Sequence, residues 1–243
     1  MQRSRSLIVA AVTAALAISV IATLVMGAST RTRIIAVNGV PGQPADICLN
    51  GKERVSGLRY GKSTVLEMNN SPKVMKFTKA AGGRPCSGNL LGKRTFDPPP
   101  GGWDLTFVVT PKGPKRVAVF DNMLPADPGE AIVAWRYAGN LGKVLLGYQP
   151  VSSLAPIPPQ PAASPSPSPF SKGDEFATAA TPDDVDRFRL VAKKAKNRKT
   201  LARTPFTRIK AGKLQQVVLV GNKGRNARFA RINVPLRTPS PSP

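Results

Sequence analysis

Histidine is absent from all 243 residues. That removes the commonest general base, the usual zinc ligand and every serine or cysteine mechanism that relies on imidazole. Acids are scarce as well: 13 Asp plus Glu stand against 36 Lys plus Arg, a formal charge of +23. Such an excess favours contact with anionic polymers or surfaces and says nothing about fold. No Gly-bearing loop of calcium-binding spacing surrounds the carboxylates Asp183, Asp184 and Asp186, so they read as a turn or a local counterweight to nearby cations. Lysines with nearby serines, such as Lys62-Ser63, lack any surrounding nucleophile motif. Nothing calls for a cofactor.

What is present begins with a targeting segment over residues 1–30. Arg3 and Arg5 precede an uncharged run from Leu7 to Met26, long for a signal peptide and long enough to cross a bilayer as a helix. Val25 and Gly27 suit a signal peptidase, so cleavage and a retained membrane anchor both stay open; either places the bulk of the chain outside the cytoplasm. Cys48 and Cys86 are the only cysteines, and in an exported chain one disulfide is the economical reading. Two unrelated buried thiols are the alternative.

Two segments echo each other: WDLTFVVTPKGPKRVAVFDN from Trp103 to Asn122, and KLQQVVLVGNKGRNARFARIN from Lys213 to Asn233. In the first, Leu105, Phe107 and Val109 alternate with Asp104, Thr106 and Val108, which predicts a β-hairpin with one face buried. Sliding the chain by 111 positions superposes Lys112-Gly113 on Lys223-Gly224; nearer the start, a slide of 96 sets Val37 on Val133 and Leu49 on Leu145. The difference matches the Pro/Ser-rich insert at 155–170, which reads as an extended polar excursion. Together these predict an internal duplication: a first domain over 31–125, a second over 126–237 and a disordered tail at 238–243. Short strands with frequent turns predict an all-β sandwich architecture, with strands at Arg33–Val37, Ala45–Leu49, Glu53–Leu58, Thr64–Met68 and Lys73–Lys79. Asn50-Gly51 is the strongest hairpin turn among them, and Asp46, beside Cys48 at a strand start, reads as a turn-ordering acid rather than a functional one. Thr181-Pro182-Asp183-Asp184 resembles a helix cap, yet the repeat and the alternation of Phe188 and Leu190 with Arg187 and Arg189 favour a strand over Val185–Val191.

The segment ADICLNGK from Ala45 to Lys52, followed by Gly57-Leu58-Arg59-Tyr60-Gly61, resembles the opening of the domain-of-unknown-function family 4397 of bacterial exported proteins. The resemblance covers residues 33–124 best; in the second half Gly142 falls on Asp46 and Val144 on Cys48. It implies an immunoglobulin-like β-sandwich at the cell surface or outside the cell; taken with the internal repeat, the expected fold is all-β, two tandem immunoglobulin-like β-sandwich domains after an N-terminal hydrophobic helix. It brings no activity or catalytic residue.

The strongest candidate for a binding site is the basic run Arg187–Lys213, which contains no acid. Its centre, Lys193, Lys194, Lys196, Arg198 and Lys199, can wrap an anionic polymer, each anionic group displacing a counterion. The other reading is a solvated face that keeps an exported protein soluble. Only Phe188 and Phe206 lie nearby, too few to stack successive bases, which disfavours single-stranded nucleic acid. The sequence therefore points to a non-enzymatic envelope or secreted module meeting anionic cell-wall polymer or lipid, its oligomeric state open. A small envelope hydrolase and a membrane-anchored ligand-sensing ectodomain are the alternatives.

Overall fold

The computed structural model describes residues 31–99, 101–111, 117–123, 130–150, 173, 175–180, 188–205, 208, 210–222 and 225–237. The targeting segment, the Pro/Ser-rich insert, both Lys-Gly hairpin turns and Asp183, Asp184 and Asp186 lie outside them. All the regular elements described are strands. In chain order they are β1 (Thr32–Asn38), β2 (Ala45–Leu49), β3 (Lys52–Leu58), β4 (Ser63–Met68), β5 (Lys73–Lys79), β6 (Leu90–Phe96), β7 (Asp104–Val109) and β8 (Val117–Asp121). The second half follows with β9 (Ala131–Tyr137), β10 (Val144–Pro150), β11 (Glu175–Ala180), β12 (Phe188–Lys194), β13 (Thr200–Arg203), β14 (Lys213–Asn222) and β15 (Arg225–Pro235). β12 is extended where the sequence also carries a helix-cap signature just upstream. Asn50 and Gly51, at φ 49° and 80°, close the β2–β3 hairpin as the Asn-Gly pair predicts.

The strands form four sheets. In the first half β3-β2-β5-β6 makes an outer sheet and β4-β1-β7-β8 an inner one; in the second, β10-β12-β13 is outer and β11-β9-β14-β15 inner. Each inner sheet holds one parallel pair at its centre, β1 with β7 and β9 with β14. Ile34, Ile47, Met75, Phe77 and Phe107 fill the space between the sheets of the first half, Phe96 and Phe107 meeting edge to face at 5.1 Å. Val133, Trp135, Tyr137, Val144, Leu190 and Leu219 do so in the second.

A third core joins the halves. Ile35, Val37, Val108 and Phe120 on one inner sheet pack with Ile132, Ala134, Val218, Val220 and Ile232 on the other. The layers therefore run outer, inner, inner, outer, and both inner sheets are buried on both faces. This corrects the one-sided hairpin: Asp104, Thr106 and Val108, the apparent solvent face of β7, are all buried in the seam. Parallel strands covered on both sides are built this way, and their two faces are hard to tell apart by apolarity.

That ambiguity also defeats both slides. Gly39 N donates to the Val109 carbonyl and Asn140 N to the Gly221 carbonyl, which aligns the two inner sheets. Counting back, Ile35 corresponds to Arg136, Phe107 to Leu219 and Asp104 to Gln216. A slide of 111 lays Phe107, which faces its own outer sheet, on Val218, which faces the seam. One residue of slip reverses every side chain in a strand. Likewise Ala45 opposite Lys79 corresponds to Val144 opposite Lys194, so Gly147, and not Val144, takes the place of Cys48.

Candidate functional site

β12 and β13 are joined by a tight turn in which Arg198 N donates to the Lys194 carbonyl at 2.9 Å and Lys194 N to the Lys199 carbonyl at 2.8 Å. Arg198 takes φ 57° to close it, and the Asn197 side chain accepts from Lys199 N at 3.3 Å. The basic run is thus strand, turn and strand over its described part. Lys196, Arg198 and Lys199 project from the exposed turn. Lys193, exposed, lies opposite Leu145 and Thr200 on the outer face. Lys194, half-buried and paired with the core residue Val144, sits instead at the mouth of the sandwich. Four of the five predicted cations are exposed, three on the turn and Lys193 on the outer face beside it, and the fifth is half-buried. None of the five makes an ion pair among the described residues.

Cys48 and Cys86 form a disulfide with a Cα separation of 6.0 Å. Cys48 lies on the outer face of β2, between Ile47 and Leu49 of the core, so the bond pins the β5–β6 loop over the outside of its sheet. Asp46 is buried and accepts from Gly57 N at 2.8 Å and Ser56 Oγ at 3.3 Å, holding the end of β3. Its carboxylate is spent on structure.

A cleft of about 450 Å³ opens beside the seam, lined among others by Lys62, Ser63, Gln215, Phe229, Arg231 and Asn233. Lys62 closes the turn entering β4 and Ser63 opens that strand; the others come from β14 and β15. Gln215 is partly committed, its side chain bonding the backbone at Arg208 and Lys210. The lining mixes polar side chains with Val217, Phe229 and Ile232, and it carries Lys62 and Arg231 but no carboxylate.

The group that sequence reading missed is the polar seam. Arg33 and Asp104 form a buried ion pair, and Asn122 Nδ2 donates to Asp104 at 2.9 Å. Arg136 reaches across from β9: Nη1 donates to Asn122 Oδ1 at 2.5 Å and Gln216 Oε1 at 2.8 Å, Nη2 to the Asp121 carbonyl, and Nε stands 3.1 Å from the Glu175 carboxylate. Its guanidinium also lies 5.1 Å from the Phe120 ring centre. Burial pushes its pKa down to about 10, against the pull of Glu175, Asp121 and Asp104. The one visible signal was an Arg closing an otherwise apolar run, as in Ile132–Arg136. Tyr60 and Arg228 tie the upper rim: the Tyr60 hydroxyl donates to the Asn226 carbonyl, and Arg228 lies over the ring at 5.4 Å.

No family model matches the chain, and no curated protein matches it. Among solved structures it is similar to an α-glucan-binding streptococcal virulence factor, at 12% identity over 77% of this chain and 92% of that one, with a TM-score of 0.24. A family 41 carbohydrate-binding module from streptococcal virulence factors aligns at 9% identity over 82% and 96%, TM-score 0.24. A family 26 module from Eubacterium rectale, in complex with maltoheptaose, aligns at 9% over 86% and 99%, TM-score 0.23.

Proposed function

We propose that this chain is a non-enzymatic binding module of the cell envelope or the extracellular space, made of two immunoglobulin-like sandwiches, and that it holds an anionic envelope polymer on the β12–β13 turn. The N-terminal apolar run would export it and, uncleaved, anchor it; the likeness of Ala45–Gly61 to the exported family 4397 supports that placement. The observation carrying the binding assignment is the turn itself. One hairpin carries Lys193, Lys196, Arg198 and Lys199 exposed to solvent, with no carboxylate of its own to neutralise them. The test presents the full chain with purified anionic wall polymer, anionic vesicles and DNA across a salt series, beside a variant with all five cations changed to Gln. Binding to wall polymer that weakens steeply with salt, with a shallower slope in the variant, is the expected result, since each lost contact removes about 0.7 to 0.9 from the log–log slope. Equal binding by both forms, or none by either, overturns the assignment.

A further inference from the structure

The two halves point the same way. At one end of the seam Gly39, after β1, approaches Val220 of β14, and Tyr60, before β4, contacts Asn226 of β15. At the other end Arg237, after β15, bonds both the Arg31 carbonyl and Glu67 of β4. The strands of both inner sheets therefore run in register, and the turns leaving β1, β3, β5, β9, β12 and β14 all gather at one end. Within the described residues those turns contain no Asp or Glu. Glu175, at the start of β11 nearby, is held by Arg136. Turn segments at the opposite end carry Asp97 and Glu130.

Cations at this end follow the layers one after another. Arg198 and Lys199 belong to the second outer sheet, and Lys143 to the loop crossing from inner to outer sheet, its carbonyl accepting from Ala195 of the β12–β13 turn at 3.0 Å. Arg228 stands on the second inner sheet against the first half, and Arg59 and Lys62 lie on the turn crossing between the sheets of the first half. All six are exposed. Packed sheets stand about 10 Å apart, so four layers put roughly 30 Å between the ends of this row.

We infer that the anionic-polymer site is a stripe across this whole end, shared by both halves, and that its ligand is an extended linear polyanion. This rests on the proposed function but differs in what it requires. A headgroup or short anion touches one layer; only a long chain reaches from the β12–β13 turn to Arg59 and Lys62. Arg228 is held in line by its stacking on Tyr60, so the seam sets the spacing of the row.

The probes are long-chain inorganic polyphosphate and tripolyphosphate, titrated against the full chain over a salt series. Variants are Arg59→Gln with Lys62→Gln, Lys196→Gln with Arg198→Gln and Lys199→Gln, and, as a charge-matched control at the opposite end, Lys52→Gln with Arg54→Gln. The stripe requires that Arg59/Lys62 neutralisation lower the long-chain salt slope by about 1.4, leave tripolyphosphate binding unchanged, and that the control pair do neither. A long-chain slope untouched by Arg59/Lys62 but reduced by the turn variant confines the site to the β12–β13 turn and overturns the stripe alone. An equal loss in the control pair makes the attraction one of bulk charge and overturns the stripe too. Absence of long-chain binding by the unaltered protein removes both readings. Unchanged melting of each variant shows that the exposed substitutions leave the fold intact.

Discussion

The two halves share a strand order but solve the problem of buried charge differently. In the first, Arg33 finds Asp104 on the adjacent strand of its own sheet. In the second the corresponding pair is Ala134 and Gln216, and the buried cation has moved to Arg136, whose partners Asn122 and the Asp121 carbonyl belong to the other half. Each buried cation finds a carboxylate within its own half, Arg136 meeting Glu175 of β11, but only Arg136 adds hydrogen bonds across the seam. A buried pair of this kind adds little net stability and is costly to break on one side. Its contribution here is specificity: Thr106, Asn122 and Gln216 meet at 3.0 to 3.4 Å in one register only, within an apolar interface that would otherwise tolerate sliding.

The comparison is broken most strongly at Arg33. Arg33→Met leaves the fully buried Asp104 carboxylate without its cation, at an expected cost of about 3–5 kcal/mol in denaturant unfolding. Arg136→Met leaves neutral acceptors and a Glu175 that water can reach, and should cost about 2–3 kcal/mol. Adding Asp104→Asn should rescue much of the first loss and none of the second. An Arg136→Met penalty equal to or above that of Arg33→Met would contradict the division.

The disulfide sharpens the contrast from another side, because Gly147 replaces Cys48 in the second half. Reduction should cost about 2–4 kcal/mol. The loss should appear as a single shifted melting transition for the whole molecule, because about ten buried Val, Leu, Ile and Phe side chains meet in the seam, and each is worth about 1.5–3 kcal/mol. Two separated transitions after reduction would show that the seam does not couple the halves.

Strand positions were legible where turns bracket alternating residues, as at Asn50-Gly51 or Pro98 to Gly102. β6 was not: Leu90–Phe96 has Gly, Lys, Arg and Thr between its apolar ends, lies at a sheet edge and shows little periodicity. The likeness of the two inner sheets' strand orders was visible as an echo, but its register was not, because strands buried on both faces carry no parity signal. The polar seam stayed hidden for the same reason. Asp104, Thr106 and Gln216 look like solvent-facing residues until a second sheet covers them. The basic turn was readable from charge alone, whereas the joining of its cations to Arg59 and Lys62 depends on how the halves are stacked, which no local pattern encodes.

Glycines on the two turns leading from the sheets give a smaller contrast. Gly61 and Gly142 both lie in the left-handed region, at φ 70° and 79°, where alanine costs about 1–2 kcal/mol. A Cβ at Gly61 would stand 2.4 Å from Cδ of Arg228, while one at Gly142 meets nothing within 4 Å. Gly61→Ala should therefore exceed Gly142→Ala in destabilisation, and it alone should displace Arg228 and weaken long-chain polyphosphate binding. Equal effects of the two would mean that the Arg228 side chain yields freely.

The smallest effect should separate two tyrosines. Burial raises the Tyr60 pKa to about 12, opposed by Arg228, and raises that of Tyr137, opposed by its hydrogen bond with Leu141. An acid whose folded pKa lies above its unfolded value of about 10 gives stability that is complete below pH 10. That stability is lost as the pH rises toward 12, because only the unfolded chain gives up its proton over that interval. Tyr60→Phe removes this dependence at the seam, at a neutral-pH cost of about 1 kcal/mol for the hydrogen bond to Asn226. Tyr137→Phe removes it within the second half, where the hydroxyl accepts from Leu141 N at 2.6 Å and donates to the Gly142 carbonyl at 2.9 Å. Melting followed from pH 9 to 12 should flatten in either variant. Arg228 should stay in line in Tyr60→Phe, which keeps the ring, and should loosen, with a lower polyphosphate salt slope at neutral pH, only when the ring itself is removed in Tyr60→Ala. A salt slope unchanged in Tyr60→Ala would make that ring a local packing element, with the row of cations held in line by the sheets themselves.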